Sequence, residues 1–559
     1  MLPPSTLLVL LLAAAVGLEW FAERARIPRP VVLVCGGLLI ALLPDLPRWQ
    51  YDPETVFDIF IPPLLFWAAF NGSVRDFRVN GLAISLVGVV LVLATTAAVA
   101  WTVHVVIPSI PWPAAVVLGA IVAPPDVVVT MSMLRGLTLP RPVTTILLGE
   151  SLVNDAASLV VFRIAIGAVV VGKFSWAQGA VELVGVTLGG AMVGLIVGWL
   201  ITAIRRRAGQ TPVLQVMMGL LIPFAAYLPA DAIHVSGVLA VVVAGLYLGR
   251  MAPALSSAET RLQARNIWEV IAFVLESLTF LLIGLDLPYA RVALGEYSLW
   301  QLLGYSCMLS AVIAVVRMAS AFPTAYLSRW AKGSAGQQAP LAWRNVLFVG
   351  WAGLRGGDSL IVALTIPVAV TTGSPFPDRN LIIVLTFGVV LISILLQGVS
   401  LRFVAQMLGL RNDGSADGEE RNARYLVSQA GLSALDAVAA KLATDAVGTV
   451  AEGTVAQGAV VVEVITFLRE AYASEPVSSS LETRQLVPPV NLAWASAYQD
   501  LRSQMVRAER AEVIRLRDED VINDEVMQRL LRSGDLEEIL LDTKSAAATH
   551  QEAGFENRV

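Results

Sequence analysis

Charge is scarce in this chain. Only 15% of its 559 residues are charged, against about a quarter in a soluble domain, while 56% are hydrophobic and the mean hydropathy is +0.71. A soluble globular protein is excluded on that ground. Cysteine is nearly absent. Cys35 and Cys307 sit in separate apolar stretches, which excludes a disulfide framework and a zinc-binding spacing. Lysine is rare too, 4 of 39 basic residues, a usage that fits a GC-rich genome, and the expected location is a bacterial cell (inner) membrane. Met1-Leu2-Pro3-Pro4 carries no basic residue ahead of the first apolar run. That run is therefore expected to be a first spanning helix and not a cleavable signal peptide. No Gly-x-Gly-x-x-Gly and no Gly-Lys-Ser/Thr loop marks a nucleotide site, and no nucleic acid or cofactor is expected.

What charge there is divides along the chain. Residues 411–559 hold 15 basic and 25 acidic side chains, so they are near −10 and the preceding residues near +5. Two regions are expected, 1–410 in the membrane and 411–559 in water. A spanning helix needs roughly 20 apolar residues. Thirteen runs qualify, about 4–22, 29–44, 54–71, 80–106, 112–134, 143–171, 177–204, 212–229, 233–249, 266–285, 299–327, 344–371 and 378–408. Loops after odd-numbered runs hold 16 Lys and Arg, and loops after even-numbered runs hold 4. The basic bias predicts an outer N-terminus and a cytosolic C-terminus. In the tail, Arg411 to Gly418 reads as a linker. Residues 419–472 and 490–543 show helical periodicity, interrupted at Pro476 and Pro488-Pro489, and the last 15 residues read as disordered. The expected tail is a small helical bundle that regulates or aids assembly.

The fifth, sixth and twelfth apolar runs carry ionisable groups clustered in short motifs, and a charge costs at least ~2.5–3.5 kcal/mol at a bilayer centre on insertion scales. The fifth run contains Pro124-Pro125-Asp126. Two adjacent prolines remove two backbone donors and clash with the preceding turn, so the helix must break there. Broken helices within a membrane are tolerated where they are buried or face water. Asp126 lies beside the new helix N-terminus, where an anion is favoured. A plain kink capped by Asp126 would use the same residues.

The sixth run carries Glu150, Ser151, Asn154 and Asp155. A spacing of four sets Glu150 with Asn154 and Ser151 with Asp155 on one face, a cluster of hard oxygen donors suited to a small alkali cation. A hydrogen-bond network between helices is the plainer alternative, and it fits Glu150 better than Asp155. The twelfth run carries Gly353-Leu354-Arg355-Gly356-Gly357-Asp358. Its glycines permit close crossing or unwinding. Arg355 keeps its proton and needs an anion; Glu150 is the expected partner, with Asp358 as competitor. Two broken helices at matching places in two halves are the pattern of an inverted-repeat transporter with a midplane site.

Gly119 to Asp126, Leu147 to Ala156, and Gly350 to Gly356 together resemble the monovalent cation:proton antiporter-1 family. Its members include bacterial NhaP-type Na+/H+ antiporters and animal Na+/H+ exchangers. Pro62 to Phe66 and Phe280 to Leu285 also look like that family. The resemblance covers most of 1–410. It implies an all-α polytopic membrane protein with about 13 spanning helices, two of them broken and crossing. It implies a homodimer with a scaffold domain and a mobile core. By position, it makes Asp155 the carboxylate that binds cation or proton, with Ser151 as a cation ligand. Asn154 would bond across to the fifth helix, Asp126 would compensate the broken helix, and Glu150 would pair with Arg355. Many members have Thr-Asp-Pro at the break, whereas this chain has Pro125-Asp126-Val127. The Pro125 carbonyl is the oxygen left there. Asp358 is a second departure, since a small or apolar residue is expected.

Desolvation disfavours a charged buried carboxylate. Such a group holds its charge only with a proton or a cation on it, so one acid swapping the two gives obligatory exchange. From Asp155 alone the expected stoichiometry is electroneutral, one Na+ or Li+ for one H+. K+/H+ exchange is the alternative within the class. An antiporter-like sensor that does not transport is a further alternative. An intramembrane aspartyl protease fits less well, because Arg355 occupies the first glycine of its Gly-x-Gly-Asp element and no partner Tyr-Asp lies in a spanning run.

Overall fold

The structure is a computed structural model that describes residues 4–25, 27–42, 53–72, 74–134, 137, 139–171, 176–207, 211–292, 297–332, 342–370, 374–410, 415–445, 452–474 and 492–556. The chain divides into two compact units. The first comprises 1–208, 217–251 and 266–412, and the second 209–216, 252–265 and 413–559. Pro476, Pro488 and Pro489 and the first half of the expected linker lie outside the described residues.

The helices run in order as α1 (Pro4–Ala25), α2 (Arg29–Ala41), α3 (Pro53–Phe70), α4 (Val74–Val106), α5 (Trp112–Val122) and α6 (Val127–Met133). Then come α7 (Arg141–Val171), α8 (Trp176–Arg207), α9 (Pro212–Ala232), α10 (Gly237–Leu255), α11 (Ala258–Val292) and α12 (Leu299–Lys332). They are followed by α13 (Trp343–Trp351), α14 (Gly357–Leu364), α15 (Arg379–Ile392), a π-helical turn (Ser393–Gly398) and α16 (Val399–Met407). Each of the thirteen apolar runs falls on one of these helices or on an interrupted pair. Among the described residues, seven are long and apolar enough to cross a membrane on length and composition.

The apolar surface is used in two ways. Only 17% of the α8 span is buried, and its Leu188, Met192, Leu195, Ile196 and Trp199 are exposed, as on a lipid-facing helix. Of the Arg379–Met407 span 61% is buried, and α5 is buried at Ala114, Ala115 and every position from Val117 to Val122. A helix that is apolar all round belongs in the interior. α5 packs there against α4 and α7, and α14 packs against α15, α3 and α5. The breaks follow from sequence. α5 ends at Val122 just before Pro124-Pro125, and α13 ends at Trp351 just before Gly353.

In the second unit, α17 (Ser415–Asp445), α18 (Glu452–Ser474), α19 (Leu492–Asp518) and α20 (Asp524–Glu556) form the expected bundle. Leu435, Val464, Leu468, Trp494 and Met505 make one core, and Val513, Leu516, Val526 and Met527 another. The last residues differ from expectation, since α20 continues to Glu556. The Ala-rich stretch from Ser545 is a good helix former, which composition read as disorder hides. Residues 209–216 and 252–265, which include the start of α9, the end of α10 and the start of α11, belong to this unit. Arg261 forms a two-pronged pair with Asp535, and Arg510 donates to the carbonyls of Pro253 (3.1 Å) and Ser256 (2.7 Å).

Arg502 is 2% exposed and sits between two acids. It donates to Glu537 (2.6 and 2.7 Å) and Glu509 (3.0 Å), with the Tyr472 ring 5.4 Å away. Burial alone would push the guanidinium down, but Glu509, Tyr472 and Glu537 hold it above its ordinary value. Arg502→Ala leaves two carboxylates facing each other in a dry site, at a cost of about 3–5 kcal/mol. The expected result is early proteolytic cleavage within 415–556 of the full-length protein, with the membrane helices intact.

Candidate functional site

The two interrupted helices meet at their breaks. The Asp126 amide donates to the Leu354 carbonyl (2.7 Å), and the Thr130 hydroxyl lies 3.1 Å from the Ala352 carbonyl. Each break exposes carbonyls on one side and amides on the other. Arg355, 1% exposed, answers the carbonyls. Its Nε donates to Val122 (2.7 Å), Nη2 to Ala123 (2.9 Å) and Nη1 to Gly353 (2.5 Å). Asp126 answers the amides, its Oδ1 accepting from the Val129 N–H at 3.1 Å. A cation at helix C-termini and an anion at an N-terminus are the favoured arrangement. Asp126 also lies against Gly356, where an added Cβ would collide with its carboxylate, so this crossing requires glycine. The π-helical turn aims Ser393 at the same place, and its Oγ accepts from the Arg355 N–H at 2.9 Å.

Asp155 lies on α7 beside this crossing. It lines two small cavities, of about 40 and 30 Å³. The larger is lined by four carboxylates, Asp126, Asp155, Glu276 and Asp358, by the Ser151 and Thr279 hydroxyls, and by the apolar Leu64, Leu65 and Phe280. Among the described residues no basic side chain lines either cavity. Among the described residues no three His, Cys, Asp or Glu side chains converge as a cage for a metal ion. Ser151 lies 3.2 Å from the Pro125 carbonyl and 3.4 Å from Asp155 Oδ2, and its one proton serves one of them at a time. The structure thus brings together Asp155, Ser151, Pro125, Asp126 and Asp358. Carboxylate, hydroxyl and carbonyl oxygens around a cavity suit a hard monovalent cation or a proton.

Two expected pairings differ. Glu150 does not pair with Arg355. Its salt bridge is to Arg317 on α12, at 2.7 and 3.2 Å, and the pair is nearly dry. Arg355 is unavailable because the broken helix ends take its donors. Asn154 does not bond across to α5; it donates to Glu150 on its own helix at 3.2 Å. The bonds that cross to the α5 side are Ser158 to the Ala120 carbonyl (2.6 Å) and Ser151 to Pro125. Sequence reasoning missed Arg317, Glu276 and Thr279. Arg317 and Glu276 are charges inside apolar runs, and the rule that singled out Asp155 would have found both.

Residues 8–407 match the family model for the transmembrane sodium/hydrogen exchanger. The chain is 33% identical over 547 residues to an uncharacterized Na+/H+ exchanger of Mycobacterium tuberculosis, covering 96% of each chain. It is 32% identical to the sodium, potassium, lithium and rubidium/H+ antiporter of Bacillus subtilis, over 72% of this chain and 61% of that one. In fold it is similar to the sodium proton antiporter MjNhaP1 of Methanocaldococcus jannaschii. The TM-score is 0.54 at 19% identity, over 72% of this chain and 98% of the other.

Removing one partner of the Glu150–Arg317 pair strands a buried charge, which typically costs about 3–5 kcal/mol. Glu150→Gln should lower the melting temperature and the folded yield of the detergent-solubilised protein, read by size-exclusion after heating. Glu150→Leu combined with Arg317→Leu should recover most of the loss, because no charge is then left unpaired.

Proposed function

The chain belongs to the sodium/hydrogen exchanger family, and on that premise we propose that it exchanges Na+ or Li+ for H+, with Asp155 carrying the two cargoes in turn. It is a secondary transporter and not an enzyme. One observation carries the assignment of Asp155. Glu150 is tied to Arg317 and Asp126 caps α6, whereas Asp155 faces two cavities, and among the described residues only the Ser151 hydroxyl is bonded to it. A half-buried acid with space and no fixed cation accepts either a proton or a metal ion, and holding one excludes the other.

Cargo binding at this point lets the core alternate between the two faces of the membrane, since the loaded site is neutralised and the empty one is not. Ser151 and the Pro125 carbonyl supply further oxygens to Na+. Glu150 with Arg317 and Arg355 with the helix ends hold the frame in which Asp155 works. The basic-residue alternation supports a cytosolic C-terminus. So does the grouping of 209–216 and 252–265 with the tail, since both flank odd-numbered loops. On this reading the protein works as a homodimer in a bacterial inner membrane and serves Na+ and pH homeostasis, with the acidic tail regulating exchange or aiding assembly. K+/H+ exchange is the second reading, favoured by the range of cations in the name of the Bacillus subtilis relative.

Proton flux in everted vesicles tests both readings, with Na+, Li+ and K+ added in turn. Na+ and Li+ should collapse an imposed pH gradient and K+ should not; a response to K+ alone supports the second reading. Asp155→Asn should abolish the response while the protein elutes as the folded species. Retained exchange in that variant refutes the assignment.

A further inference from the structure

Four ionisable side chains stand together just beyond the smaller cavity. On α7, Asp155 and Leu159 line that cavity, and Arg163 is the next residue on the same strip of the helix. On α3, Ile61 and Leu65 line it, and Asp58 lies three residues before Ile61 on the same face. Arg163 donates to Asp231 at the end of α9, with Nη2 and Oδ1 2.7 Å apart. Tyr227, one turn earlier on α9, donates its hydroxyl to the Asp58 carboxylate and lies within electrostatic reach of Asp231 and Arg163. The four form one cluster drawn from three helices, at the end of the cavity that points away from the broken-helix crossing. Its two halves are built differently. Tyr227 is buried, and its ring packs on Gly237, where an added Cβ would fall 2.6 Å from it. It therefore ties Asp58 of α3 firmly to the corner between α9 and α10. The Arg163 and Asp231 side chains are 44% and 46% exposed. An exposed pair of this kind biases an equilibrium by up to about fivefold, so it is easily made and easily broken.

Exchange requires that Asp155 be reached from one face of the membrane at a time. Beyond the smaller cavity, the way out runs between α7, α3 and α9, and the cluster lies across it. Arg163 rides on the helix that carries Asp155, and α7 packs against α4, α5 and α13. Its partners ride on α3 and α9. The way opens only when Arg163 leaves Asp231. On the reading of Asp155 as the carrier, and on the orientation that the basic-residue bias gives, we propose that the Arg163–Asp231 pair, seated on Tyr227 and Asp58, is the outer gate of the route to Asp155. The gate is closed in this conformation. Arg163 and Asp231 neither bind the cargo nor exchange its proton; they act on Asp155 through access alone. The cluster holds two acids and one base, so it stays net negative and does not repel an arriving cation when the pair parts. The weakness of an exposed pair suits the task, since a strong one would hold the route shut.

The test uses the full-length protein with Cys35→Ser and Cys307→Ser, so that Leu159→Cys supplies a single thiol on the cavity wall. Whole cells receive a membrane-impermeant thiol reagent from outside. Labelling should be slow with the pair intact and about two- to fivefold faster with Arg163→Gln or Asp231→Asn. The two changes together should accelerate it no more than the larger single effect, because they remove one shared contact. Arg163→Lys should keep the slow rate. A merely structural pair would alter yield without altering the side from which position 159 is reached. Labelling unchanged in both single variants, or effects that add in the double variant, overturns the proposal. In a second format, Arg163→Cys and Asp231→Cys, without Leu159→Cys, are joined by a reducible bifunctional thiol reagent in vesicles. Exchange should stop on cross-linking and return on reduction; exchange that continues through the cross-link overturns the proposal. The labelling needs no transport, which separates it from the underlying reading. Exchange retained in Asp155→Asn removes Asp155 as carrier, whatever the labelling says of the gate.

Discussion

A permanent cation buried at the crossing of two broken helices holds this site together. Arg355 is almost inaccessible, and its donors go to backbone carbonyls that the breaks at Val122 and Trp351 leave without helical partners. Neither partner is stable alone. An isolated guanidinium in a dry interior is costly, and so are unbonded carbonyls. Together they satisfy one another, and the result fixes the angle and depth at which the two interrupted helices meet. Pro124-Pro125 and the glycines at 353 and 356 are the conditions for that meeting. The prolines stop one helix, and the glycines let Asp126 and Arg317 approach the other where any side chain would block them.

With the frame made neutral in this way, the remaining acids differ by what surrounds them. Glu150 and Asp155 are five residues apart on α7, yet one is locked against Arg317 and the other faces open space. The first is a strut and the second a ligand. Asp126 stands between these roles, since it caps a helix and also borders the cavity. The family match states what class of transport the chain performs. The contacts explain why one carboxylate among five in this region suits the carrying role.

Much of this was legible in the sequence. The broken fifth helix followed from two prolines, and the unwound segment of the twelfth from its glycines. The face shared by Ser151 and Asp155 followed from a spacing of four. Pairing across the chain was not legible. Periodicity says which residues share a helix face but not which helices adjoin. The motifs alone therefore pair Glu150 with Arg355, while its partner Arg317 lies 167 positions away on a helix with no motif. The role of Asn154 was inverted for the same reason. The resemblance puts its partner on α5, but the Glu150 carboxylate oxygen that also receives Arg317 lies one turn back on its own helix and accepts its amide. The end of the tail differs from the expected disorder, since α20 continues to Glu556 and alanine needs no core to favour a helix.

The Ser151 hydroxyl has one hydrogen and two acceptors within reach, the Pro125 carbonyl and Asp155. It therefore works as a rotor. Turned toward Asp155, it solvates a bare carboxylate. Turned toward Pro125, it leaves its lone pairs facing the cavity. The rotation needs no backbone movement, whereas collective domain motions take microseconds to milliseconds. The site can thus adjust its polarity to whichever occupant arrives before the slow conformational step begins.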